Sequence, residues 1–126
     1  MKTPDRTAPV LIVDDEHMMI TVMRRILERL GYTKVDYAAD GETALEKMRK
    51  TPYAFVVCDW SMEPVNGYEV LRRVRADPDL RETRFIMATT QTVMQNAVAA
   101  KMAGVDGYLI KPFTPDSLRK VIEAAA

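Results

Sequence analysis

Val10-Leu11-Ile12-Val13-Asp14-Asp15 and Phe55-Val56-Val57-Cys58-Asp59 share one plan: a short unbroken apolar run that stops at an acid. A continuous apolar run bounded by polar residues suits a strand buried on both faces. Working outward, the same plan recurs in Phe85-Ile86-Met87-Ala88, which ends at Thr89-Thr90, and in Tyr108-Leu109-Ile110, which ends at Lys111-Pro112. Lys34 to Ala38 reads as a more polar strand. Helical spacing fills the gaps. Met18, Met19, Val22, Met23, Ile26, Leu27 and Leu30 recur at three- and four-residue intervals and predict one inward stripe, closed by Gly31. Gly41 opens a second helix with Ala44, Leu45 and Met48 inward, ended near Pro52. Tyr68 to Arg75 is a third, broken before Pro78, and Val93 to Met102 a fourth, ended by Gly104. Pro115 starts the last, with Thr114 as N-cap. Five strand-then-helix units imply an α/β fold: a parallel sheet covered by helices on both faces through right-handed crossovers.

The 126 residues suit one domain, with residues 9–126 as its body and 1–8 as a loose N-terminal extension. Eighteen basic residues balance eighteen acidic ones, which argues against the positive field of a dedicated nucleic-acid binder, so no direct nucleic-acid contact is expected. The single cysteine, Cys58, excludes an intramolecular disulfide and a thiolate metal cluster. The first apolar run is far too short for a signal core or a membrane span. The expectation is a cytoplasmic monomer without membrane contact.

The chemistry collects where the strands stop. In an open parallel sheet the strand C-termini open on one edge, and ligands bind there. Asp14, Asp15, Asp59, Thr89 and Lys111 therefore converge although they are distant in sequence. Three carboxylates in one cleft repel one another, and a divalent cation resolves the conflict. An all-oxygen set of this kind suits Mg²⁺, which takes one or two carboxylates and phosphate oxygens. A carboxylate is also a competent nucleophile toward phosphorus. The cation and the Lys111 ammonium would neutralise charge on the transferring group, and Thr89 offers a hydroxyl donor.

Val-Asp-Asp at 13–15, Cys-Asp-Trp-Ser-Met at 58–62 with Gly67 downstream, Thr89, and Gly-Tyr-Leu-Ile-Lys-Pro-Phe at 107–113 resemble the CheY-like receiver domains of two-component response regulators. The resemblance runs over residues 9–125. It implies a doubly wound, flavodoxin-like sheet of order 2-1-3-4-5. It implies Asp59 as phosphoacceptor, and Mg²⁺ (with Mn²⁺ as an alternative) held by Asp14, Asp15, Asp59 and the backbone carbonyl of Ser61. Thr89 and Lys111 would contact the phosphoryl oxygens, Tyr108 would be an aromatic switch together with Thr89, and Lys111-Pro112 would be a cis peptide. A histidine kinase or phosphotransfer protein would be the donor. A downstream protein would read the face of the fourth helix, fifth strand and fifth helix, in chemotaxis or another pathway. The chain departs from the family pattern at Glu63, where proline is usual, and at Thr90, where a small residue is common. Ser61 and Gln91 stand at variable positions that resemble those tuning dephosphorylation.

Two other functions use the same residues. A metal-dependent phosphatase or phosphotransferase with an aspartyl nucleophile is one, but its best-known family carries Asp-x-Asp after the first strand, where this chain has adjacent acids. A phosphorylation-independent adaptor is the other, and the intact acidic set argues against it. The leading expectation is a switch, not an enzyme acting on a separate substrate. Singly, other residues read more plainly: His17 as a solvated histidine, Trp60 as a partly exposed cover, Cys58 as facing away from Asp59, the methionines as helix packing, and Arg72, Arg73 and Arg75 as a solvated helix face.

Overall fold

The computed structural model describes residues 5–90 and 94–125, without the side chains at 94 and 95. Gln91, the helix start expected at Val93, and the first four and last residues lie outside them. The elements follow in strict alternation: β1 Val10–Val13, α1 His17–Arg29, β2 Val35–Ala38, α2 Gly41–Lys50, β3 Val56–Asp59, α3 Gly67–Ala76, β4 Phe85–Thr89, α4 Met94–Met102, β5 Gly107–Ile110 and α5 Pro115–Ala125. All strand pairs are parallel, in the order β2-β1-β3-β4-β5. This is the parallel sheet that the alternation implies, in the doubly wound order that the family resemblance implies.

Period-two alternation divides the core into two layers. Leu11, Val13, Val56, Cys58, Phe85 and Met87 pack against α2 and α3 through Ala44, Leu45, Val70, Leu71 and Val74. Val10, Ile12, Val57, Ile86, Ala88 and Leu109 face the other way, onto Ile20, Met23 and Leu27 of α1 and Leu118 and Ile122 of α5. The three central strands are buried on both faces, which is why they are apolar throughout.

Local chemistry sets the helix ends. Asp40 accepts from the Thr43 N–H at 2.7 Å, and Asn66 from the Glu69 N–H at 2.9 Å. Thr114 Oγ1 accepts from the Ser117 N–H at 3.0 Å while Ser117 Oγ accepts from the Thr114 N–H at 2.9 Å, a reciprocal box. α1 closes through Gly31, whose φ of 103° lets its N–H reach Glu28 O and that of Tyr32 reach Leu27 O.

Three expectations need correction. Met18 and Val22 are 80% and 44% exposed, so the inward stripe of α1 is Ile20, Met23 and Leu27. The helix is apolar almost all round at its start, and spacing alone does not choose the face. Met102 is likewise 84% exposed, so not every helical methionine packs. Arg75 is no solvated arginine: it donates to Gly104 O, Arg81 O and Thr83 O and pairs with Asp106 at 2.8 Å. Asp106 in turn accepts from the Phe85 N–H. One guanidinium thus ties together α3, the loop before β4, the end of α4 and the start of β5. Within the N-terminal extension, Arg6 is anchored, its carbonyl accepting from the Thr33 N–H and its guanidinium lying 5.0 Å from the Tyr32 ring centre.

Candidate functional site

β1, β3 and β4 stop together at one edge, and each stops on a polar residue that is buried: Asp14, Asp59 and Thr89 are 3%, 6% and 1% exposed. Parallel register sets their heights. Val13 lies beside Cys58, Asp59 beside Ala88, and Thr89 beside Ile110. Asp59 therefore stands one residue beyond the paired end of β1, level with the start of the Asp14-Asp15 turn. Backbone bonds fix the turns: Asp14 N–H donates to Ala38 O, Trp60 N–H to Ala88 O, and Lys111 N–H to Thr89 O.

Lys111 reaches back across this edge. Its ammonium lies 3.0 Å from Asp14 Oδ2 and 3.1 Å from Asp59 Oδ1, and all three side chains are largely buried. Lys111-Pro112 is a cis peptide, as is Glu63-Pro64 in the loop after β3. Burial pushes the Asp59 carboxyl above its usual range, the charge of Asp14 adds to this, and Lys111 only partly opposes it. Burial alone would lower the Lys111 ammonium, but hydrogen bonds and charges from Asp14 and Asp59 win and hold it above its usual range. The edge thus keeps a firmly charged cation beside a carboxylate that ionises reluctantly.

Asp15, by contrast, is exposed at the rim. Asp14, Asp15 and Asp59 each offer an oxygen within 4.8 Å of the other two. A close all-oxygen set with two buried members fits a hard divalent cation such as Mg²⁺. Ser61, two residues past Asp59, lines a cleft of about 350 Å³ with Asp59, Thr90, Lys111, Pro112, Glu16 and Met19. Glu16 and Met19 escape a motif-based search because they lie on the helix start after the acidic pair, not in it. Tyr108 does not line this cleft. It is half-buried on β5 beside Met87, packed on the α2–α3 layer.

The loop after β3 is shaped from beneath. A side chain at Gly67 would collide with the backbone carbonyl of Asp59, and the Gly67 N–H donates to Trp60 O at 2.8 Å. Only glycine allows α3 to start this close to the strand end. Trp60 is half-buried and stacks on Tyr68, ring centres 5.5 Å apart. Cys58 faces the opposite layer, fully buried, and burial with the charges of Asp59 and Asp14 pushes its thiol up, so it is a packing residue here. His17 and Thr90 are exposed.

Comparison with known proteins agrees with this geometry. Residues 10–123 match the response regulator receiver domain family. The chain is 39% identical to chemotaxis protein CheY of Pseudomonas aeruginosa over 114 residues, covering 90% of this chain and 92% of that one. It superposes on the crystallised chemotaxis protein CheY4 of Vibrio cholerae with a TM-score of 0.88 at 32% identity, over 95% of this chain and 99% of the other. A receiver domain of a sensor histidine kinase from Pseudomonas aeruginosa, solved with a magnesium ion coordinated in its active-site cleft, is similar at a TM-score of 0.83 and 27% identity, over 93% and 95% of the two chains. With the acidic edge, the bridging lysine and the 2-1-3-4-5 sheet in place, the chain belongs to the response regulator receiver domains, in their CheY-like form.

Proposed function

We propose that this receiver domain is switched by phosphorylation of Asp59, with the phosphoryl group supplied by a phosphohistidine on a histidine kinase or phosphotransfer protein. The observation that carries this reading is Lys111, whose ammonium bridges Asp14 and Asp59 at 3.0 and 3.1 Å. In the reaction an Asp59 oxygen bonds to phosphorus while the phosphorus–nitrogen bond breaks, and the electron pair stays with the imidazole. Lys111 is positioned to follow the negative charge onto a phosphoryl oxygen, exchanging a carboxylate partner for a phosphate one. Thr89, buried at the end of β4, is the hydroxyl donor to another oxygen.

Asp14, Asp15 and Asp59 would hold Mg²⁺, with Ser61 adding its backbone carbonyl. Mn²⁺ would serve in its place. Bound there, the ion supplies charge neutralisation for the phosphoryl oxygens. The magnesium-bound receiver domain of similar fold supports this assignment. The raised Asp59 carboxyl supports it as well, because a site that disfavours its own ionisation gains from a cation.

The readout would run through Thr89 and the switch residue Tyr108 to a partner protein on the face of α4, β5 and α5. Val98, Met102 and Ile110 are exposed apolar residues on α4 and β5, which suits a docking surface. Chemotaxis is the pathway that the CheY relatives suggest. Among the described residues no helix is long and apolar enough to cross a membrane, and a monomer acting in the cytoplasm, with no direct nucleic-acid contact, is the proposed state. Incubation with a small phosphoryl donor and Mg²⁺ should add the mass of one phosphoryl group. No gain, or an equal gain in Asp59→Asn, would overturn the proposal.

A further inference from the structure

The cleft over Asp59 holds one carboxylate that the phosphoacceptor chemistry leaves without a task. Glu16 is the N-cap of α1, with extended backbone, yet its side chain makes no capping hydrogen bond. Short side chains are favoured at this position because their oxygens reach the first free N–H groups of the helix. Asp40, Asn66 and Thr114 do this for α2, α3 and α5. At α1 the cap position is held differently: the Glu16 backbone N–H donates to Asp14 Oδ1 at 2.9 Å. Asp14 therefore fixes where Glu16 stands, and the exposed Glu16 side chain, unused as a cap, lines the cleft with Asp59, Ser61, Thr90 and Lys111.

We propose that Glu16 is a specificity-determining residue of this site: its carboxylate at the cleft mouth strengthens capture of the divalent cation and penalises phosphoryl donors in proportion to their negative charge. The proposal deepens the reading of Asp59 as acceptor and rests on it. Asp14, Asp15 and Asp59 gather their oxygens at this edge and Glu16 joins Asp59 in the cleft, while among the described residues the cation bridging Asp14 and Asp59 is the Lys111 ammonium, so an approaching dianion meets more repulsion than a monoanion and a divalent cation meets more attraction than either. In a solvent-exposed mouth one such charge changes the affinity for a divalent ion by a factor of about 3–10. The two effects have opposite signs, which a packing role for Glu16 would not produce.

Acetyl phosphate, a dianion at neutral pH, and phosphoramidate, a monoanion, serve as probes. With the first, Asp59 bonds to phosphorus as the phosphorus–oxygen bond breaks and acetate leaves with the electron pair. With the second, the phosphorus–nitrogen bond breaks and ammonia leaves. Both give the same aspartyl phosphate. Mg²⁺ binding to the unphosphorylated protein is followed through Trp60, the single tryptophan, half-buried next to Asp59. Glu82→Gln, in the exposed loop before β4 at the far end of the sheet, is the control.

The expected result is that Glu16→Gln weakens Mg²⁺ binding by a factor of about 3–10 and, at saturating Mg²⁺, speeds acetyl phosphate more than phosphoramidate. Glu16→Lys moves both quantities further in the same directions, and high salt shrinks both. Glu82→Gln changes neither. An unchanged Mg²⁺ affinity in Glu16→Gln, or equal acceleration of both donors, overturns the proposal. If the unaltered chain takes no phosphoryl group from either donor, the Asp59 reading fails and the donor half of this proposal falls with it, while the Mg²⁺ titration still decides the cation half.

Discussion

Asp59 is buried beside Asp14, and its ionisation works against the fold. Burial and the Asp14 charge raise its folded-state pKa above that of the unfolded chain, so between the two values the native state binds more protons. Stability from this residue is therefore lost as pH rises from the ordinary carboxylate range through its folded-state pKa. The prediction is that Asp59→Asn, measured by denaturant unfolding without divalent cations, is more stable than the unaltered chain at about pH 7, with the gap closing toward about pH 4. A gap independent of pH would show that the carboxylate is not under this strain. The acceptor role proposed for Asp59 rests at this scale on its company: an aspartate after an apolar run is ordinary, and Asp14 and Lys111 beside it make the position distinctive. Arg75 was illegible, because its partners are mostly backbone carbonyls, which no side-chain pattern encodes.

Elements carry the site by how closely they approach one another. α3 begins against the Asp59 carbonyl, so Gly67→Ala should cost about 1–3 kcal/mol by overpacking and should displace the strand end that carries Asp59. Slower phosphorylation together with the lower midpoint is expected, and an unchanged rate would contradict the placement. At the opposite end, Arg75→Met leaves three carbonyls without this donor and Asp106 without its ion-pair partner. A loss of about 2–4 kcal/mol in denaturant unfolding is expected, against the small effect of a solvated arginine. Element order was readable because buried parallel strands are unbroken apolar runs and Gly31, Gly104 and Thr114 mark helix ends. The inward face of α1 was not, since Met18 and Val22 share the spacing of Met23 and Leu27 but point to solvent.

For the molecule as a whole, the sheet order brings acids from β1 and β3 to one edge and a lysine from beyond β5 over them. If that edge holds Mg²⁺, the ion should stabilise the native state by linkage. At a hundredfold excess over its Kd the gain is about 2.7 kcal/mol, a rise in Tm of about 10 °C, and Asp14→Asn should abolish most of it. The same edge was foreseeable from strand ends alone, whereas the cleft wall of Glu16 and Met19 required the fold. The most direct test of the central claim is chemical. An acyl phosphate is reduced by borohydride to an alcohol, so the phosphorylated protein, reduced and digested, should carry homoserine at position 59 and nowhere else. Homoserine at another aspartate, or none after a confirmed gain of phosphoryl mass, would contradict Asp59 as the acceptor.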